Sequence, residues 1–235
     1  MTRLIAALAT LWLLVACTDP AGRGGGNILV LGDSVMAWNG ASGRAIGDGL
    51  AATLGRQVTD RAVPGAQFDA ASGLAGAIGF DIRRQYPGGR WSWIVLNGGA
   101  NDLGRDCGCG ACGAVVDRLI APDARSGAIP AFLDRLHRES GARIMWMGYY
   151  RGNGRGSFQG CRDDLVAMEA RIAQLARSRP YLIFADAEDV IDPAEPGIFA
   201  ADNTHPSPRA SALIGRYLGQ QILQAERSQS ADEDL

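Results

Sequence analysis

Apolar residues gather in short runs along this chain, each stopped by glycine, proline or a polar cluster. Asn27–Leu31, Trp93–Asn97, Ala142–Gly148 and Tyr181–Ala185 are nearly continuous in apolar character rather than alternating. That is the pattern of strands buried on both faces of a parallel sheet. Gln57–Val63 is a weaker strand candidate, ended by Pro64-Gly65. Between these runs the period lengthens to that of a helix. Ile129, Phe132, Leu133 and Leu136 share one helical face, and Gly141 suits the C-terminal stop. Leu165, Met168, Ile172, Leu175 and Ala176 form a second stripe, with Asp163 and Asp164 in the first turn, where carboxylates favour the helix dipole. Ala210, Leu213, Ile214, Tyr217 and Leu218 form a third, opened by Ser207-Pro208, a capping residue followed by proline at the first helical position. Alternating strands and helices predict an α/β domain whose parallel sheet is covered on both faces. Ligands of such sheets bind beyond the carboxyl ends of the strands.

Composition adds bounds. A chain of 235 residues, 47% hydrophobic and 20% charged, fits one globular domain, and no internal repeat divides it. The net charge of -2, with no basic block, argues against a nucleic-acid partner. The 32 glycines follow no regular period and point to tight turns and close backbone approaches.

The N-terminus reads as an address. Arg3 precedes an apolar run, Leu4–Ala16, that falls short of the roughly twenty residues a membrane span needs but suits a secretory h-region. It ends in Leu14-Val15-Ala16-Cys17, which resembles the lipobox of bacterial lipoproteins. The resemblance implies cleavage before Cys17 and lipid on that residue; an ordinary signal peptide cut near Ala16 is the alternative. Aspartate stands third in the resulting mature chain, at Asp19, and not second, so the expected location is the outer membrane, facing the periplasm. Residues 17–26 read as a flexible tether, 27–225 as the folded domain, and 226–235 as a frayed, disordered acidic tail.

Polar residues cluster where the strands end. The first run leads into Gly32-Asp33-Ser34, the weak second into Pro64-Gly65-Ala66, the third into Gly98-Gly99-Ala100-Asn101-Asp102, and the last, after a loop, into Asp202-Asn203-Thr204-His205. Together they supply a nucleophile, a base, an orienting carboxylate and oxyanion donors, the parts that acyl transfer requires. The Gly-x-Ser-x-Gly elbow is missing, which disfavours the α/β-hydrolase version. Of the two histidines, His137 flanks an amphipathic helix and reads as a surface residue, leaving His205 as the base. Asp33 and Asp102 read as structural. A plainer reading makes Ser34 a helix cap and Asp202 a turn former.

These blocks closely resemble those of the SGNH/GDSL hydrolases. Gly32-Asp33-Ser34 is similar to their first block, Gly65 to the glycine of the second, Gly99-Ala100-Asn101-Asp102 to Gly-x-Asn-Asp, and Asp202–His205 to Asp-x-x-His. The resemblance implies a three-layer, flavodoxin-like α/β/α sandwich with about five parallel strands. It implies Ser34 as nucleophile, His205 as base and then acid, and Asp202 as the carboxylate that orients His205. It also implies an oxyanion hole from the backbone N–H groups of Ser34 and Gly65 and the side chain of Asn101. No cofactor or metal is implied.

Besides Cys17, the chain has Cys107, Cys109, Cys112 and Cys161. In an exported protein these suggest two disulfides, in any of three connectivities, with Cys161 joined to one of the other three; a four-thiolate zinc site is the alternative. Tyr149–Gly160 carries four glycines, the cations Arg151 and Arg155, and in Tyr149, Tyr150 and Phe158 flat faces suited to stacking on a sugar. It reads as a lid over the site that selects polar or anionic, glycan-borne esters, with a solvated surface loop as the plainer alternative. The expected activity is hydrolysis of a short-acyl or lipid oxygen ester, the substrate being a small molecule, a glycan or a lipid of the envelope. Acyl transfer by the same residues, or glycan binding without catalysis, stand as alternatives.

Overall fold

The computed structural model describes residues 27–68, 70 and 80–233. The expected signal peptide and tether, residues 1–26, lie outside them. Five strands, β1 (Ile28–Leu31), β2 (Val58–Asp60), β3 (Trp93–Leu96), β4 (Arg143–Gly148) and β5 (Leu182–Asp186), form one sheet in the order β2-β1-β3-β4-β5. Every pairing is parallel. All residues of β1 and β3 are buried, which is why their sequences are continuously apolar: neither face meets water. The chain lays β2 on one side of β1 and β3 on the other. The connections therefore diverge at β1/β3 and leave a crevice beyond those two carboxyl ends. The expected α/β class and parallel sheet are the observed ones.

Seven α-helices are present among the described residues: α1 (Ser34–Ala37), α2 (Ile46–Leu54), α3 (Ala100–Asp106), α4 (Gly113–Leu119), α5 (Ala128–Ser140), α6 (Arg162–Arg177) and α7 (Pro208–Glu233). The stripes that predict α5 and α6 are buried except for the half-buried Ala176, and Gly141 ends α5 in the left-handed conformation. Ser207 accepts from the Ala210 N–H at 3.2 Å, so α7 begins with a serine cap and proline at its first position. Helices α2, α3 and α4 were not legible, being short and, in α2 and α3, interrupted by glycine.

Helices α2 and α7 pack directly together. A Cβ at Gly215 would lie 2.5 Å from the Ile46 carbonyl oxygen and 2.7 Å from the Leu50 nitrogen, so only glycine permits this approach. The contact brings the start of α7, and His205 just before it, beside the turn that follows β1.

The expected disordered tail from residue 226 needs correction. Helix α7 continues to Glu233. Glu226 accepts from both terminal nitrogens of Arg56, at 2.6 and 2.8 Å, and from the Trp93 indole N–H at 2.9 Å. A helix already nucleated extends at low cost, and a carboxylate that looked solvent-bound is held by residues 133 and 170 positions away.

Candidate active site

The nucleophile turn is built from buried parts. Gly32 follows β1 with φ of +145°, and a Cβ there would lie 2.1 Å from Asn97 Oδ1. That space lets Asn97 reach Asp33: the Asp33 N–H donates to Asn97 Oδ1 (3.1 Å) and Asn97 Nδ2 donates to Asp33 Oδ1 (3.0 Å). Gln85 braces Gly32 from another side, accepting from its N–H at 2.8 Å and donating to its carbonyl at 2.9 Å. Asp33 Oδ1 also accepts from the Val35 N–H at 2.9 Å. The cap of α1 is thus Asp33, and Ser34 stands at the first helical position.

Asp33 Oδ2 accepts from the Tyr149 hydroxyl at 2.5 Å, and the Tyr149 N–H donates to Glu169 Oε1 at 2.5 Å. Burial raises the Asp33 pKa; its hydrogen bonds from Tyr149, Val35 and Asn97, and the charge of His205, only partly counter this. Burial, with the nearby Asp186 and Glu188 charges, pushes Glu169 up to about 8 against the hydrogen bond from Tyr149 and the charge of Arg162.

His205 comes from the loop before α7. Its Nε2 lies 2.7 Å from Ser34 Oγ, and its Nδ1 lies 2.6 Å from Asp202 Oδ2. Asp202 Oδ1 accepts from the N–H groups of Thr204 and His205, each at 3.0 Å. Burial by itself would raise the Asp202 carboxyl, but the hydrogen bonds from the His205 ring and from these two amides outweigh it and hold the pKa below the usual range. An ionised carboxylate only accepts, so His205 Nδ1 carries the proton and Nε2 accepts from the serine hydroxyl. Ser34, His205 and Asp202 therefore form one continuous hydrogen-bonded line across the crevice.

Asn101 lies in the first turn of α3, beyond β3, and its Nδ2 donates to the Ala66 carbonyl at 3.0 Å. Gly65 sits in the turn after β2 with φ of +78°. Ser34, Asn101 and His205 line a cleft of about 610 Å³, to whose wall Gly65 and Asp202 do not contribute. Asp102 is buried and accepts from the Phe68 N–H at 2.7 Å. His137 is half-buried rather than on the surface: its Nδ1 lies 2.8 Å from the Ala142 carbonyl oxygen and its ring stacks on Tyr181.

The segment after β4 forms one wall of the cleft, with Tyr150, Arg151, Gly152, Gly154, Gly156 and Phe158. The expected lid reading needs three corrections. Tyr149 is buried and bonded to Asp33, so it offers no open face. Arg155 lies outside the cleft, in a neighbouring recess of about 320 Å³. The segment is also tied to the His205 loop: Asn153 Nδ2 donates to Asn203 Oδ1, the Ser157 N–H to Thr204 Oγ1, and the Tyr150 hydroxyl to the Thr204 carbonyl, at 2.8–2.9 Å. Disulfides join Cys107 to Cys112 and Cys109 to Cys161. These use the four thiols a zinc site would need, and the second staples the wall to the loop after α3.

Two residues beside the base had no part in the motif reading. Trp38 stacks on His205 with ring centroids 3.8 Å apart and planes 8° from parallel. Asn39 donates from Nδ2 to the Pro206 carbonyl and to Ser211 Oγ, both at 3.0 Å. Their place at the end of α1, four and five residues after Ser34, was the available signal.

Residues 30–213 match the GDSL-like lipase/acylhydrolase family. No curated protein matches the sequence. Among solved structures, the fold is similar to a protein assigned as an SGNH hydrolase from Slackia heliotrinireducens, at 20% identity, covering 84% of this chain and 99% of that one with a TM-score of 0.57. It is similar also to a carbohydrate acetylesterase family member from Sinorhizobium meliloti, at 16% identity, 85% and 98% coverage and a TM-score of 0.57. A carbohydrate esterase family 2 enzyme with a carbohydrate-binding domain, from Corynascus thermopiles, matches at 18% identity, 88% and 68% coverage and a TM-score of 0.57.

Proposed function

Since the chain belongs to the GDSL-like lipase/acylhydrolase family and is a serine hydrolase, we propose that it cleaves a short-acyl oxygen ester, acetyl-like and carried on a carbohydrate, through an acyl-enzyme on Ser34. The observation that carries this reading is the line Asp202–His205–Ser34, with contacts of 2.6 and 2.7 Å. As the Ser34 oxygen attacks the ester carbonyl carbon, its proton passes to His205 Nε2, and Asp202 stabilises the resulting imidazolium. Negative charge builds on the carbonyl oxygen. The proposed donors to it are the N–H groups of Ser34 and Gly65 and the Asn101 amide, one of whose hydrogens already goes to Ala66 and orients the group. Collapse breaks the bond to the alcohol oxygen, which takes the proton from His205 and leaves. Water then gives a proton to His205 and its oxygen attacks the acyl carbon; the acid departs as Ser34 regains its proton.

The acetyl and carbohydrate parts of the reading draw on the acetylesterase and carbohydrate-esterase neighbours. The envelope setting draws on Leu14–Cys17 and on two disulfides, which suit an oxidising compartment. In it, lipid on Cys17 anchors the enzyme to the outer membrane on the periplasmic side. A panel of chromogenic esters of increasing acyl length, run with wild type and Ser34→Ala, tests the chemistry. Turnover highest on acetyl and lost in the variant is expected; equal turnover by the variant excludes Ser34 as nucleophile. Cys17→Ser is expected to leave the membrane fraction for the soluble one; continued sedimentation with membranes contradicts the anchor.

A further inference from the structure

Ser34 and His205 are 171 residues apart, and their contact needs something to hold the two segments in register. Asp202 holds His205 only from within the same loop, three residues away, and the Asp202 side chain is 38% exposed. A ring held at Nδ1 alone can still pivot about that bond and carry Nε2 away from the serine. The dipeptide at the end of α1 supplies the missing ties. The Trp38 N–H donates to the Ser34 carbonyl at 2.8 Å, while the Trp38 indole lies flat on the His205 ring. Asn39 adopts the left-handed conformation, φ 66° and ψ 2°. Asparagine tolerates it at some cost, and from there both hydrogens of its amide reach the His205 side, at Pro206 and Ser211.

Resting on the reading of Ser34 and His205 given above, the geometry points to Trp38-Asn39 as a clamp that positions the base on the nucleophile. Trp38 blocks rotation of the imidazole and gives the imidazolium a π face, which attracts a cation. Asp202 bonds the ring at Nδ1 and the charge of Asp33 acts on it from further off; neither contact covers the ring face on which Trp38 stacks. Neither Trp38 nor Asn39 is assigned a bond to substrate, so both are positioning residues.

Trp38→Leu keeps an apolar side chain and removes the flat face. A base displaced by about 1 Å costs on the order of a hundredfold in rate. The expected result is a 10- to 100-fold lower kcat, on the scale of that displacement, with KM little changed. Trp38→Phe is expected to recover most of the loss. Asn39→Asp, which keeps the size and the left-handed tolerance but removes both donors, is expected to lower kcat several-fold.

With only two histidines in the chain, imidazole proton NMR reads the stack directly. The His205 signals, shifted by the indole ring current, are expected to move in Trp38→Leu while those of His137 stay in place and report an intact fold. Unchanged kcat in Trp38→Leu, unmoved His205 signals, or no recovery in Trp38→Phe overturns the clamp. Ser34→Ala, measured alongside, separates the two failures. If Ser34→Ala is inactive and Trp38→Leu is normal, the clamp alone is wrong; if Ser34→Ala is active, the site itself is misread.

Discussion

The two loops that meet at Ser34 and His205 are built on opposite plans. The nucleophile turn is part of the core: Asp33, Asn97 and Gln85 are all 3% exposed or less, and their bonds join residues 53 and 64 positions apart. The base loop is an outer structure, with Asp202 exposed and its carboxylate held by the amides of the next few residues. Buried hydrogen bonds cost far more to break than exposed ones, because the abandoned group cannot turn to water. The nucleophile is therefore positioned by the same interactions that stabilise the fold. The base is positioned by local bonds and by ties from neighbouring segments, which the fold can lose and survive.

Asp202→Asn strains this contrast most. Asparagine Oδ1 still accepts from the two loop amides, but its amide favours the wrong histidine tautomer. Turnover is expected to fall by up to about ten-thousandfold, with a thermal midpoint within about 1–2 °C of wild type, as for an exposed change. A normal rate makes Asp202 a turn residue only; a collapsed midpoint removes the contrast between the loops.

Asn97→Ala is the reverse case. It leaves the buried Asp33 N–H without its acceptor and removes one donor from the Asp33 carboxylate, so an unfolding cost of about 2–5 kcal/mol is expected. In a domain of this size that lowers the midpoint by on the order of 10 °C, read by calorimetry or denaturant titration. A cost near that of a surface substitution would show that the turn is not built into the core.

Glu169→Gln sharpens the same point more gently. Glu169 sits behind the nucleophile turn with its pKa pushed up to about 8 from 4.5. Between those values the folded state holds a proton that the unfolded state has released, so stability falls as pH rises through that window and stays lowered above it. Glutamine keeps an acceptor for the Tyr149 N–H and does not ionise. Its stability relative to wild type is expected to improve from pH 5 to pH 8, by about 3–5 °C for each pKa unit realised. A difference independent of pH contradicts the assignment.

The same division governs what the sequence made legible. The apolar runs of β1, β3 and β4 report burial on both faces, and the polar residues at their ends are the chemistry; both signals are local and survive in one dimension. Trp38, Tyr149, Glu169 and Glu226 act through partners far away in sequence. Tyr149 looked like an open aromatic face and is a buried donor to Asp33. Glu169 lies within the apolar stripe of α6, where a carboxylate is read as facing water unless its partner is known. Glu226 looked like tail and closes α7 onto Arg56 and Trp93. Pattern locates surfaces and cores, whereas a specific partner 20 to 170 residues away leaves no mark on the local sequence.

Covalent trapping tests the central claim most directly. A serine-reactive fluorophosphonate, which needs an activated hydroxyl, is to be incubated with the intact protein, followed by mass measurement and peptide mapping. The account predicts a single adduct on Ser34 in wild type, strongly slowed in His205→Ala although the serine is still present. An adduct on another residue, or equally fast labelling without His205, would contradict it.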